Sequence, residues 1–93
     1  MEIIKYVGEA EGKQHLAEAL DLEGLEIRRE EYAATSGLGH NDPLIVELYV
    51  RKLPTSRLSD ADVPTAIRRI VADVASRFPD ADINTNRLSS ESG

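Results

Sequence analysis

Cysteine and tryptophan are absent from this 93-residue chain, and phenylalanine occurs once. Without cysteine there are no disulfides, no thiolate metal ligands and no thiol nucleophile, which fits a reducing compartment. With one Phe and three Tyr, the chain has little with which to stack nucleic-acid bases. Long apolar runs are missing too, and no stretch approaches the roughly 20 residues of a membrane-spanning helix. The opening MEIIKYVGEAEGK has no basic segment followed by an apolar one, so no signal peptide is expected. A cytoplasmic protein with no membrane partner is the expectation. Its Ala, Arg, Asp and Val usage is compatible with a bacterial or phage origin.

What is present suffices for one domain. Apolar residues make up 41% of the chain, enough for a core, so wholesale disorder is not expected. The core must rely on Leu, Ile, Val and Ala. A chain of this size buries only about two-thirds of its unfolded surface, so a partner subunit would add to its stability. Residues 1–88 read as a single domain, and 89–93 (SSESG) as a flexible tail.

The net charge of −6 is unevenly spread. Residues 1–31 carry nine acids against four bases, whereas residues 51–77 carry six bases against three acids. An acidic protein repels phosphate backbones at long range, so nucleic acid is not the expected partner. The acidic run between Glu9 and Glu31 could imitate nucleic acid, but a solvated helix surface has the same composition.

The clearest element is a helix over Asp62–Pro79. Val63, Ala66, Ile67, Ile70, Val71, Val74 and Phe78 recur at three- and four-residue steps, and Arg68, Arg69, Asp73, Ser76 and Arg77 take the other side. Asp62 is the expected N-cap, and Phe78 before Pro79 the expected stop. Residues 2–7 (EIIKYV) are apolar on both sides, Ile3 and Val7 on one and Ile4 and Tyr6 on the other, as in an interior strand. Glu9–Leu22 reads as a shorter helix closed by Gly24. In Pro43–Leu53, Leu44, Val46, Leu48 and Val50 alternate with Ile45, Glu47, Tyr49 and Arg51, the period of a strand. Leu25–Ala34 is ambiguous between helix and strand. The following strand needs a neighbour, so an edge strand with a charged exterior is preferred. Asp80–Leu88 reads as a weak final strand.

The order strand, helix, strand, strand, helix, strand is that of an α+β two-layer sandwich of the ferredoxin-like, split βαβ type. Such a fold has an antiparallel sheet with two helices on one face. It places the first and third strands centrally, and those are the most apolar here.

Few residues carry chemistry. His40 and Asp42, in the glycine-rich loop SGLGHND, are weak catalytic candidates as a base with its orienting acid. A hairpin loop accounts for the same composition, because Gly, Asn, Asp and His turn easily. His15 with Glu11 or Glu18 falls short of the three or four converging ligands a metal demands, so no metal or cofactor is expected. Pro43 is internal, which denies it the free amine of a catalytic N-terminal proline. Arg68, Arg69 and Arg77, with Arg51, Lys52 and Arg57, are the basic cluster, but the aromatic-rich RNA-recognition pattern is missing.

The expected function is therefore a small protein-interaction, adaptor or regulatory module rather than an enzyme, homodimeric through its open sheet face. Tyr6, Ile45, Glu47, Tyr49, Arg51, Arg68, Arg69 and Arg77 are its expected partner-binding residues. A dimeric α+β-barrel enzyme using His40 or a tyrosine is the alternative. A nucleic-acid binder using the Arg68, Arg69 and Arg77 face is the third.

Overall fold

A computed structural model describes residues 1–36 and 42–87. The elements run β1 (Glu2–Gly8), α1 (Ala10–Leu22), β2 (Leu25–Tyr32), β3 (Leu44–Lys52), a 3-10 turn (Asp60–Asp62), α2 (Val63–Arg77) and β4 (Asp82–Arg87). The strands form one sheet in the order β2-β3-β1-β4, with every neighbouring pair antiparallel. The protein is thus an α+β fold with a four-stranded antiparallel sheet and two helices. The ambiguous segment is a strand at the sheet edge.

Register explains which sides are covered. Ile4 pairs with Leu48 and Tyr6 with Val46, so these side chains share one face with Val50. All five are buried, together with Leu16 and Leu20 of α1 and Val63, Ala66, Ile67, Ile70 and Val74 of α2. Both helices therefore lie on the same side of the sheet. The opposite alternation, Ile3, Lys5 and Val7 on β1 with Ile45, Glu47, Tyr49 and Arg51 on β3, is left uncovered.

This arrangement corrects one expectation. Tyr6 lies in the core and not on the open face, with 0% exposure. A strand apolar on both sides does not say which side the helices take; pairing with Val46 decides it. The Tyr6 hydroxyl donates to the Glu9 carbonyl at 2.6 Å, which satisfies the one polar atom it brings inside. Burial, and then the Glu9 charge, hold its phenol above the ordinary value, outweighing a backbone hydrogen bond that acts the other way.

Helix ends also differ in detail. Asp62 stands at the N-cap position of α2 but belongs to the 3-10 turn, and its side chain makes no capping bond. It accepts instead from the Ser59 hydroxyl at 2.9 Å. Gly24 closes α1 with φ +74°, a left-handed conformation that suits glycine. There the chain is clasped to the segment after β3: Leu53 N–H donates to the Gly24 carbonyl at 2.9 Å, and the Ser56 hydroxyl to the Glu23 carbonyl at 2.7 Å.

On β2 the register shifts between Ile27, opposite Val50, and Arg29, opposite Tyr49. Arg28 is the extra residue of a β-bulge, and the side-chain alternation changes phase there. Leu25 and Ile27 face the helices before the bulge, and Glu30 and Tyr32 do so after it. Glu30 meets α1, where Lys13 Nζ donates to its carboxylate at 2.8 Å, and the Tyr32 hydroxyl donates to the same oxygen at 2.7 Å. The hydrogen bond from Lys13, then that from Tyr32, keeps the Glu30 carboxyl below the usual range.

Candidate functional site

The open sheet face brings together partly exposed aliphatic, aromatic and charged side chains. Ile3, Val7, Ile45 and Tyr49 are each only partly covered, and they sit around the two central strands. Register pairs them off within the sheet: Ile3 opposite Tyr49, Lys5 opposite Glu47, and Val7 opposite Ile45. β4 adds Asp82, Asn84 and Asn86 beyond Val7, Lys5 and Ile3. β2 adds Glu26, Arg29 and Glu31 beyond Arg51, Tyr49 and Glu47.

Polar contacts organise the β2 side of this face. Arg29 places its guanidinium 4.2 Å from the Tyr49 ring centroid, within cation–π range, and pairs with Glu31 at 3.1 Å. The Tyr49 hydroxyl lies 3.2 Å from both Glu31 and Glu47, with one proton to offer two carboxylates. Arg51 pairs with Glu26 at 2.8 Å. Hydrogen bonding with Arg29 draws the Tyr49 phenol down, but desolvation and the Glu31 and Glu47 charges outweigh it, so its pKa is raised. A phenol held up in this way is a hydrogen-bond donor at neutral pH and not a base.

Lys5 is different. It faces the open side directly across from Glu47, yet it makes no ion pair or hydrogen bond among the described residues. Between Lys5, Glu31, Ile45 and Glu47 the surface dips into a notch of about 240 Å³. That is smaller than the roughly 300–1,000 Å³ of typical small-molecule pockets.

The residues expected to bind a partner are thus divided. Ile45, Glu47, Tyr49 and Arg51 share the open face. Arg68, Arg69 and Arg77 lie on α2, in the layer on the other side of the sheet. Arg68 and Arg77 are nine residues apart, about 13 Å along the helix axis, and do not form one cluster. Arg69 approaches Glu23, the residue that follows α1, at 3.9 Å, and Arg77 pairs with Asp73 at 3.3 Å. His15 packs against Phe78 with ring centroids 5.3 Å apart and the ring planes tilted by 56°, a packing role. Among the described residues, no group of three or more His, Asp or Glu is placed to hold a metal. Asp42 is exposed, and His40 lies outside the described residues.

Sequence reasoning did not foresee Ile3, Val7, Lys5, Arg29 or Glu31 as members of this face. The alternation of Ile3 and Val7 against Ile4 and Tyr6 was the signal for the first pair. Arg29 and Glu31 depend on the bulge. No helix among the described residues is long and apolar enough to cross a membrane. No protein-family model matches the chain, and no curated protein matches it significantly.

Proposed function

We propose that this chain is a small protein-interaction module of the ferredoxin-like, split βαβ kind, working in the cytoplasm and self-associating through its open sheet face. One observation carries the reading: Ile3 with Tyr49 and Val7 with Ile45 form two partly covered apolar and aromatic pairs on the open face, on either side of the charged Lys5–Glu47 pair. Partly exposed aromatic and aliphatic side chains are what protein interfaces enrich. The acid surplus of the chain, by contrast, is concentrated around α1, where Glu9, Glu11, Glu18, Asp21 and Glu23 face a single base, Lys13. Self-association through the sheet avoids that repulsion.

Sedimentation velocity across micromolar to millimolar concentrations tests the proposal. A monomer–dimer equilibrium that Tyr49→Asp weakens supports it. A monomer at every concentration, with Tyr49→Asp behaving identically, rules it out.

A further inference from the structure

We infer that the second copy docks face to face about a two-fold axis that runs along the strands, midway between β1 and β3. This inference rests on the self-association proposed above and adds its register. Such an axis exchanges the two central strands, so each open-face residue lies over the counterpart of its own cross-strand neighbour. Ile3 meets the partner's Tyr49, Val7 meets the partner's Ile45, and Lys5 meets the partner's Glu47, each twice by symmetry. All four apolar and aromatic side chains are covered by one another.

The charges agree with this axis and disagree with the other simple choice. Lys5, free of ion pairs among the described residues, gains a carboxylate. Glu31 and Glu47, which compete for the one Tyr49 proton, gain the partner's Lys5. On the flanks, β4 exchanges with β2, so the uncharged Asn84 and Asn86 lie over the partner's Glu31 and the partner's Arg29. An axis at the same level but across the strands would stack Lys5 on the partner's Lys5 and Glu47 on the partner's Glu47. Like charges opposed at close range are unfavourable.

The strands of the two sheets then run nearly in line, as aligned sheet packing requires. The face spans about 19 by 23 Å in projection, from strand spacing and rise. That is a small interface by the standards of stable dimers, so a weak, reversible dimer is expected.

Charge exchange at one pair tests the register. Lys5→Glu and Glu47→Lys, made separately, should each weaken self-association about tenfold or more, because two attractive pairs become repulsive. An equimolar mixture of the two variants should dimerise again, since both contacts between positions 5 and 47 in the mixed dimer then join opposite charges, one of them reversed. Circular dichroism on each variant confirms that the fold is intact. A wild-type dimer that neither substitution weakens, or variants that mixing does not rescue, overturns this register and leaves self-association standing. A wild-type monomer overturns both.

Discussion

Gly12 and Tyr6 are coupled through the core, and the coupling can be measured. Gly12 is buried on the side of α1 that faces the sheet. A Cβ added there would overlap the Tyr6 hydroxyl outright and stand 3.2 Å from both Tyr6 Cζ and Phe78 Cγ. The phenol has nowhere to retreat, since it is fully buried and its hydroxyl is bonded to the Glu9 carbonyl. Forced overpacking costs about 1–3 kcal/mol. Replacing glycine by alanine within a helix returns about 0.5–1 kcal/mol. With the overpacking at its middle value of about 2 kcal/mol, Gly12→Ala should destabilise the protein by about 1–1.5 kcal/mol, or about 4–12 °C in Tm for a domain of this size.

In a Tyr6→Phe background that cost should largely vanish. Loss of the hydroxyl costs about 0.5–1.5 kcal/mol, and the Glu9 carbonyl keeps the N–H groups of Gly12 and Lys13 as donors at 3.1 and 3.3 Å. The collision is then gone, and Gly12→Ala should be near neutral. The coupling energy from urea denaturation of the four proteins should be about 1–2 kcal/mol. An equal cost of Gly12→Ala in both backgrounds would show that the hydroxyl does not set the spacing of α1 from β1.

Three other outcomes are expected. Gly24→Ala should cost about 1–2 kcal/mol in thermal melts, because φ is +74° and the new Cβ would lie 2.7 Å from the Ser56 Cβ. Deleting Arg28 should leave both halves of β2 in their present register and be tolerated, whereas deleting Ile27 should not; urea titration of the two deletions distinguishes them. Lys13→Met should cost no more than about 1 kcal/mol near neutrality, given a pair open to solvent. Because the Glu30 pKa is lowered in the folded state, that contribution is present above its unfolded value near 4.3 and lost as pH falls through the folded value, so denaturation curves of the two proteins should converge in acid.

The fold was legible where the pattern had a single period. The repeat in Val63–Phe78 and the alternation in Leu44–Arg51 each correspond to an observed element, α2 and β3. The two strands richest in apolar residues, β1 and β3, are the two central ones, as the order of elements leads one to expect. What periodicity does not encode is which face of β1 the helices cover, since Ile3 and Val7 are as apolar as Ile4. It says equally little about contacts that need register between distant segments. The Arg29, Glu31, Tyr49 and Glu47 network joins β2 to β3 across 18 positions of sequence in its Tyr49–Glu31 contact. The basic residues on α2 looked like one cluster in sequence and are separate along the helix.

The segment hardest to read is also the one that links the two faces. In LEIRREEY, Leu25 and Ile27 stand at odd positions and Tyr32 at an even one, so a straight strand would bury either the first two or the last. Arg28 resolves the conflict by adding one residue. Upstream, the aliphatic pair turns towards the helices; downstream, Glu30 and Tyr32 turn the same way and meet Lys13. That leaves Arg29 and Glu31 for the open face, where they hold Tyr49. The same bulge roughens an edge strand against pairing with other chains. That leaves the face for the self-association proposed above, in which Lys5 and the crowded Glu31 and Glu47 carboxylates would each supply what the other lacks.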